Sequence, residues 1–448
     1  MIITTKHQYV LMDTTGVREF ANILKGSDSM DILLQKFFEK ERWEQALETG
    51  VDKHIDKGEL RKLTSPEVRA ALYTAIRDDN YEIAPPHQAA IPKDNGDMRI
   101  VYVNENVDRI FLSIANNLFF EMFPEFIHPA CKSYQTGIGC GKIVQEVSRQ
   151  VISTKGNEVG LKADLTKYFD RVPIRYIDEI FDRMEAKVGK SKIIDVVRKY
   201  YHTDLCFDVD GDLIEHYQSL KQGCAVASFL ANAVLYHIDK AVSELNVYYV
   251  RYSDDLLALG TDWQKAFTVI KSMLNEMEME LNPRKVEILE KNKWFKFLGF
   301  YIKGNQITLH KGRLKTFQKE IEKRTIKCKN NTLKGAINQV NSYLYKGDGQ
   351  YSWATSVLPI INVEKDIETL NAFVMDALRA CATGKKKIGG LGSVNDRDDY
   401  TILRGTGKNV SANRSKTTKE IDGYLSIHCM QNALLTRRAV YETLVRSM

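Results

Sequence analysis

The chain has 448 residues, of which 44% are hydrophobic and 27% are charged, a composition typical of a soluble globular protein with two to four domains. It contains no apolar run of the ~18 residues that a membrane-spanning helix needs, and its N-terminus lacks a signal-peptide pattern. The seven cysteines form no Cys-X-X-Cys pair, which argues against a disulfide framework and a zinc module. We therefore expect a cytoplasmic protein with reduced thiols and no membrane contact.

The net charge of +6 is distributed unevenly along the chain. From Lys311 to the end there are 24 Lys and Arg residues against 13 Asp and Glu residues, so this part carries +11 and the preceding 310 residues carry −5. Basic surfaces bind nucleic acids by neutralising backbone phosphates. An ordinary solvated basic face has the same composition, so the charge pattern alone leaves both interpretations open.

Residues 1–84 are predicted to be mostly helical. Apolar residues recur at helical spacing in Ile32–Phe38 and in Val68–Ile76, as on the buried face of an amphipathic helix. Ser65 followed by Pro66 is a helix start signal directly before the second of these segments.

The middle of the chain combines short apolar strands with acidic residues. The segment Gly160–Asp170 places Asp164 at the end of a predicted strand, and Phe207–Ile214 is typical of a hairpin with an Asp-Gly turn. Strands that flank helices between about 158 and 303 favour a small antiparallel sheet of the split βαβ type.

The segment Tyr252-Ser253-Asp254-Asp255 lies between two apolar runs, which predicts two strands joined by a tight acidic turn. Neighbouring carboxylates repel each other unless a cation neutralises them, and Mg²⁺ prefers such oxygen ligands. Two-metal phosphoryl transfer needs carboxylates from separate segments that hold ions ~3.5–4 Å apart, and Asp164 could supply the second segment. The alternative is that these Asp residues cap turns or a helix.

Gln222 and Gly223 lie in a turn that leads into an apolar helix. Glycine lets a backbone approach a base pair or sugar closely, although a plain loop-to-helix junction would have the same sequence.

The chain after Gly304 is predicted to be helical again. Lys311–Lys329 has apolar residues at Leu314, Phe317 and Ile321, which is the pattern of an amphipathic helix. Further predicted elements are helices at Leu333–Tyr345, Ile367–Cys381 and Tyr424–Val445, a basic loop around Lys385-Lys386-Lys387, and a long polar loop at residues 393–420.

Together and in this order, these segments resemble the reverse transcriptases, most closely the bacterial ones related to group II intron proteins. The resemblance covers roughly residues 85–302 and includes segments that look like two finger motifs, the catalytic motifs and two motifs that follow them. The matching segments are Ile91–Arg99, Ser133–Gly137, Asp164–Asp170, Gln222–Asn232, Tyr252–Asp255, Leu281–Lys285 and Phe297–Phe300.

The resemblance implies an α+β right-hand polymerase fold, with fingers, an antiparallel split-βαβ palm and a helical thumb. Residues 1–157 would form an N-terminal helical extension and the fingers. The palm would comprise residues 158–304, with a finger insertion at about 174–220. Residues 305–390 would form the thumb, and residues 391–448 a C-terminal extension.

The resemblance also implies roles for individual residues. Asp164 and Asp254 would be the principal metal ligands, with Asp255 in support, for two Mg²⁺ ions or for Mn²⁺ in their place. Lys285 would donate a proton to the leaving pyrophosphate.

Other matching positions would bind the nucleotide. Lys93 and Arg99 would clasp the triphosphate, the first as a point charge and the second as a bidentate fork, unless both are merely solvated surface charges. Phe169 would stack under the sugar and leave no room for a 2′-hydroxyl group, which favours deoxynucleotides. Gln222 and Gly223 would border the nascent base pair and template.

The primer and template would contact Tyr252 and the segment Phe297, Leu298 and Gly299. The chain departs from the group II pattern at Ala227-Ser228, where relatives carry Ser-Pro. This departure leaves the template contacts open and argues against a plain intron-encoded protein.

We therefore expect an RNA-directed DNA polymerase that uses deoxynucleoside triphosphates, reads an RNA template and makes DNA. The sequence has no evident zinc-finger endonuclease, RNase H or integrase pattern. It thus resembles the free-standing, defence-associated reverse transcriptases of bacteria, which pair with a structured noncoding RNA; retrons and diversity-generating elements are neighbours. The alternatives are a template-independent or protein-primed DNA polymerase of the same fold, and a catalytically inert RNA-binding scaffold. The sequence leaves the oligomeric state unknown.

Overall fold

The computed structural model describes residues 4–5, 8–9, 31–49, 55–93, 97–135, 137–328, 332–346, 352–384, 387–395 and 399–405. The chain divides into two compact units. The first comprises Met1–Gln135, Lys162–Ala258 and Gln264–Glu287, and the second comprises Thr136–Leu161, Leu259–Trp263 and Ile288–Met448. The four predicted domains are a finer division, which stays a prediction.

The described residues form helices throughout both units. In chain order these are α1 (Ile32–Phe37), α2 (Lys40–Thr49), α3 (Lys57–Leu63), α4 (Pro66–Arg77), α5 (Asn106–Met122), α6 (Cys140–Ser153), α7 (Tyr168–Arg171), α8 (Ile174–Val188), α9 (Lys192–Tyr201), α10 (Ala227–Val234), α11 (Tyr236–Ser243), α12 (Trp263–Glu276), α13 (Lys311–Arg324), α14 (Leu333–Asn341), α15 (Trp353–Ser356) and α16 (Glu364–Ala382).

Short strands alternate with these helices. They are β1 (Thr4–Thr5), β2 (Gln8–Tyr9), β3 (His87–Pro92), β4 (Met98–Val103), β5 (Glu158–Asp164), β6 (Leu205–Phe207), β7 (Leu213–Glu215), β8 (Val247–Tyr252), β9 (Asp255–Gly260), β10 (Glu287–Glu290), β11 (Phe295–Phe297), β12 (Phe300–Lys303), β13 (Gln306–Leu309), β14 (Leu391–Asn395) and β15 (Tyr400–Arg404).

The N-terminal helices begin where the sequence predicts them. The Ser65 side chain accepts a hydrogen bond from the backbone N–H of Val68 at 3.4 Å, and Pro66 occupies the first turn of α4, where its missing N–H has no helical partner to lose. Phe37 and Phe38 are fully buried, which confirms the predicted apolar face.

The described strands include two four-stranded sheets. One has the order β4-β3-β6-β7, and the predicted hairpin forms its β6-β7 edge. The turn of that hairpin is longer than a two-residue Asp-Gly turn, because Asp208 N–H donates to the Asp212 carbonyl at 2.9 Å. The other sheet has the order β10-β5-β9-β8, which brings the ends of β5 and β8 to the sides of β9.

The second unit contains the antiparallel sheet β11-β12-β13 and helices α13–α16. Helix α13 buries Leu314, Phe317 and Ile321, so the predicted amphipathic face is confirmed, although the helix ends at Arg324 instead of continuing to residue 329.

The predicted long loop at residues 393–420 is wrong at its start. Tyr400–Arg404 pairs with Leu391–Asn395 in an antiparallel hairpin. The buried carboxylate of Asp366 accepts from the Ile402 N–H at 3.1 Å, and the Tyr400 hydroxyl donates to the Leu309 carbonyl at 2.6 Å. Residues 385–386 of the basic loop, residues 406–420 and the predicted helix at Tyr424–Val445 lie outside the described residues.

Among the described helices, none is long and apolar enough to cross a membrane. Six of the cysteines lie within the described residues, and all six are free thiols.

Candidate active site

The predicted acidic turn joins two neighbouring strands. β8 ends at Tyr252 and β9 begins at Asp255, so Ser253 and Asp254 form a two-residue hairpin loop. Ser253 has a φ of 58°, the left-handed conformation that tight hairpin turns require. On the other side of β9, the Leu165 N–H donates to the Asp254 carbonyl at 3.3 Å. The end of β5, which carries Asp164, therefore lies against the turn.

The side chains of Asp164, Asp254 and Asp255 interact electrostatically with one another. Burial raises the pKa of Asp254 to about 6, and the negative charges of Asp164 and Asp255 contribute to this shift. The positive charge of Lys285 lowers the pKa of Asp254. Crowded carboxylates of this kind are unfavourable without a cation, so the site has the charge and the oxygen donors that a divalent ion takes.

Lys285 forms an ion pair with one of these carboxylates, that of Asp164. Its Nζ atom lies 2.7 Å from Oδ2 of Asp164. Lys285 ends a 3₁₀ turn, Pro283–Lys285, and the residue that caps this turn, Asn282, donates its N–H to the Asp164 carbonyl at 2.7 Å. No three His, Cys, Asp or Glu side chains in the described part of the chain form a ready-made metal site. The three predicted carboxylates therefore interact electrostatically without forming a closed ligand set.

Asp254→Asn should stabilise the protein at neutral pH when divalent ions are removed by EDTA. The folded-state pKa of about 6 lies above the ordinary 3.8, so ionisation of Asp254 disfavours the folded state. Stability conferred by this group falls as pH rises from about 4 to about 6, and the loss is complete at pH 7. We expect the variant to gain about 2 kcal/mol in free energy of unfolding at pH 7 and little at pH 4. Urea unfolding at both pH values measures this, and an equal gain at both would contradict it.

A buried ion pair holds the acidic turn from behind. Arg251 and Asp239 are both fully buried, with Nη2 and Oδ2 separated by 2.6 Å. A second Arg251 nitrogen, Nη1, donates to the carbonyl of Ser253 at 3.1 Å. The guanidinium thereby links the left-handed turn residue to helix α11. The sequence did not predict this ion pair, because nothing in it indicates that Arg251 and Asp239 meet in the fold.

A cavity of about 610 Å³ lies in the same unit. Four predicted nucleotide-binding residues line it, namely Arg99, Phe169, Gln222 and Gly223. Tyr134 also lines it, and its hydroxyl lies 3.2 Å from the Ser253 hydroxyl in the acidic turn. The cavity and the acidic residues are therefore parts of one connected site.

Helix α5 contributes a polar stripe to the cavity that the sequence analysis missed. Ser113, Asn116 and Asn117 line the cavity, and they are spaced three and four residues apart, so they share one face of the helix. This spacing is visible in the sequence, but it does not by itself distinguish a cavity wall from a solvated helix face. Ser228, from α10, lines the cavity beside them.

The turn at Gly223 is packed against the neighbouring sheet. The Tyr102 N–H donates to the Gln222 carbonyl at 2.7 Å, which fixes this turn against β4. Gly223 has a φ of +109°, and an added Cβ would lie 2.8 Å from the Tyr102 carbonyl oxygen. Only glycine fits this backbone without a shift of the turn or the strand.

Gly223→Ala should therefore weaken nucleotide binding and destabilise the protein by about 1–3 kcal/mol. Gly189→Ala is the matched control, since Gly189 also has a positive φ of +84° but no atom lies within 4 Å of an added Cβ. We expect the KM for nucleotide to rise in the first variant only. Equal KM values in the two variants would mean that the close approach at Gly223 does not shape the cavity.

Lys93 and Tyr252, two further residues with predicted roles, do not line the cavity. Lys93 is exposed, and its N–H donates to the Asp97 carbonyl at 2.7 Å, closing the β3-β4 turn. Tyr252 is the last residue of β8 and is half-buried.

Phe297, Leu298 and Gly299 belong to the second unit. Phe297 is 1% exposed and is a core residue, whereas Leu298 and Gly299 are half-buried. Leu298 has a positive φ of 47°, and its carbonyl accepts from the Arg313 guanidinium at 3.3 Å.

Comparison with known proteins identifies one domain. Residues 91–302 match the family described as Reverse transcriptase (RNA-dependent DNA polymerase). No curated protein matches the chain. Among solved structures, apo telomerase from Candida Tropicalis is similar over 79% of this chain and 74% of its own, with 11% identity and a TM-score of 0.42. Telomerase from Candida albicans, solved with a fragment of telomeric RNA, is similar over 69% and 62%, with 11% identity and a TM-score of 0.37.

Residues 91–302 match a reverse transcriptase domain, and the predicted α+β right-hand polymerase fold is confirmed. The chain is an RNA-directed DNA polymerase, a nucleotidyltransferase that reads an RNA template and joins deoxynucleotides. Enzymes of this family use divalent metal ions.

Proposed function

We propose that the chain copies a structured noncoding RNA into DNA by two-metal nucleotidyl transfer, in the cytoplasm and as part of antiphage defence. The observation that carries the catalytic part is the junction of Asp164 with the acidic turn. The Asp254 pKa is raised to about 6 in part by the neighbouring carboxylates, which is the electrostatic condition that bound cations relieve.

The protein groups have separable tasks in this reaction. Asp164 and Asp254, with Asp255 in support, would hold Mg²⁺, or Mn²⁺ in its place. Bound divalent ions would lower the pKa of the primer 3′-hydroxyl and neutralise charge on the departing pyrophosphate.

The side chains themselves position the nucleotide and supply charge. Arg99 at the cavity and exposed Lys93 offer fixed positive charge to the triphosphate. Lys285, 2.7 Å from Asp164, would leave that carboxylate when a metal binds and transfer its proton to pyrophosphate.

Phe169→Ala should let the enzyme accept ribonucleotides. Phe169 lines the cavity together with Gln222, and its backbone carbonyl accepts from the Leu220 N–H at 3.1 Å. Removing the ring leaves room for a 2′-hydroxyl group. We expect the preference for deoxynucleotides over ribonucleotides, measured as the ratio of kcat/KM values, to fall at least about tenfold, or about 1.4 kcal/mol. Phe120→Ala, in helix α5 and away from the lining, is the control, and an unchanged ratio for Phe169→Ala would contradict the role.

A homopolymer template tests the proposed activity. With a poly(A) RNA template and an oligo(dT) primer, the protein should incorporate dTTP and none of the other three nucleotides. Incorporation of all four nucleotides would instead indicate template-independent synthesis, and incorporation of none with retained RNA binding would indicate an inert scaffold.

The biological part of the proposal rests on the resemblance to free-standing defence-associated enzymes. Sequencing of RNA and DNA that co-purify with the protein from its host tests it. We expect one structured noncoding RNA with its complementary DNA, whereas recovery of only self-spliced intron RNA would contradict a defence role.

A further inference from the structure

The polar stripe on helix α5 has a partner on helix α10. The Ser228 hydroxyl lies 3.0 Å from Oδ1 of Asn116 and 2.9 Å from the Ala225 carbonyl. This contact orients the Asn116 amide within the cavity wall.

The stripe still has unused hydrogen-bonding groups. Within the described residues, no other side-chain hydrogen bond is formed by Asn116, Asn117 or Ser113. Asn116 and Ser113 are half-buried and Asn117 is exposed, although the neighbouring positions Leu112, Ala115 and Leu118 are core residues. A donor and acceptor surface thus lines a cavity that already has the size of a small-molecule site, about 610 Å³.

The position of the polar stripe in the cavity indicates which nucleotide it contacts. Arg99 and Phe169 come from β4 and α7 and serve the incoming nucleotide in the proposed function, on which this inference rests. A nascent base pair has a second member, the template nucleotide. The wall formed by α5 and α10 supplies further polar side chains to the same cavity.

The chemistry of a template-copying enzyme narrows the contact further. All four template bases must be accepted, so a fixed amide is best used on an atom that every template nucleotide shares. The ribose 2′-hydroxyl is such a group in RNA, it both donates and accepts hydrogen bonds, and it is the group by which proteins distinguish RNA from DNA. Asparagine amides, which carry both a donor and an acceptor, match it.

We propose that Asn116 and Asn117, with Asn116 oriented by Ser228, bind the 2′-hydroxyl of the template nucleotide and so favour RNA over DNA as template. Asn116 and Asn117 are the residues in contact, and Ser228 is a positioning residue.

Single-nucleotide incorporation on two matched templates tests this inference. One template is all RNA, and the other has a single 2′-deoxynucleotide at the templating position. The full-length wild type should show a kcat/KM about five- to tenfold higher on the all-RNA template, the effect of a net hydrogen bond. Asn116→Ala and Asn117→Ala should each lower this ratio towards one.

Matched variants separate positioning from general damage. Ser228→Ala should lower the ratio, and Ser228→Thr, which keeps the hydroxyl, should restore it. Asn275→Ala, at an exposed position of α12, should leave it unchanged. Because Asn117 is exposed, its replacement keeps the test valid if Asn116→Ala fails to fold.

The possible failures are distinguishable. A wild-type ratio of one, or an unchanged ratio in both asparagine variants, would overturn the inference and leave the proposed function intact. Absence of templated incorporation on either template would overturn the proposed function together with it.

Discussion

Asp164→Asn and Asp254→Asn should each abolish DNA synthesis and leave RNA binding unchanged. Each change removes a carboxylate from the edge where β5 meets the acidic turn, and the Leu165 to Asp254 backbone hydrogen bond of 3.3 Å remains available. Metal ions contribute several kcal/mol of charge stabilisation in such reactions, so a loss of about 4 kcal/mol lowers kcat about 10³-fold. Primer extension and RNA gel-shift assays measure the two properties.

Asp182→Asn is the matched control for these variants. Asp182, on helix α8, pairs with Arg198 of helix α9 at 2.9 Å, and the Asp182 side chain is 67% exposed. We expect near wild-type synthesis from it. Activity within about tenfold of wild type in either site variant would contradict the catalytic role, as would a loss of RNA binding equal to the loss of synthesis.

Arg251→Met should be the most destabilising single change at the site. It would leave the Asp239 carboxylate uncompensated in a fully buried position, which costs about 3–5 kcal/mol. It would also remove the donor to the Ser253 carbonyl, which holds the turn that carries Asp254. Urea unfolding measures the stability, and primer extension on the fraction that remains folded measures the activity.

The paired variant separates the two effects. Arg251→Met combined with Asp239→Leu removes both charges, and we expect it to recover most of the lost stability, since replacing a whole buried pair by apolar residues is often neutral. Synthesis should stay low, because the Ser253 carbonyl still lacks its donor. Full recovery of synthesis in the double variant would show that Arg251 serves folding alone.

The sequence predicts the acidic hairpin well because local rules determine it. Apolar runs on both sides of Asp254 require strands, and a two-residue connection requires a tight turn. The separation of Asp164 from that turn along the chain did not prevent the prediction, because the family motifs occur in a known order.

Features that depend on distant partners could not be predicted in the same way. The hairpin that contains Tyr400 lies in a polar segment, and its stability comes from Asp366 and Leu309, which are remote in sequence. Arg251 gave no sign of burial, because its partner Asp239 belongs to another element. The pairing of Lys285 with Asp164 likewise follows from a turn that only the folded chain brings close.

The polar wall of the cavity could be predicted only in part from the sequence. The spacing of Ser113, Asn116 and Asn117 is visible in the sequence, but polar residues on one face of a helix usually face solvent. Only the fold shows that this face lines a cavity with Phe169 and Gln222.

Binding of Mn²⁺, followed by electron paramagnetic resonance in the presence of an RNA template, a dideoxy-terminated DNA primer and the matching nucleotide, is the most direct measurement. The nucleotide alone also binds Mn²⁺, so a no-protein sample is the reference. We expect two protein-dependent ions in the wild type and a loss of ion binding in both Asp164→Asn and Asp254→Asn. Unchanged ion binding in these variants would mean that the two acidic segments do not form the catalytic centre.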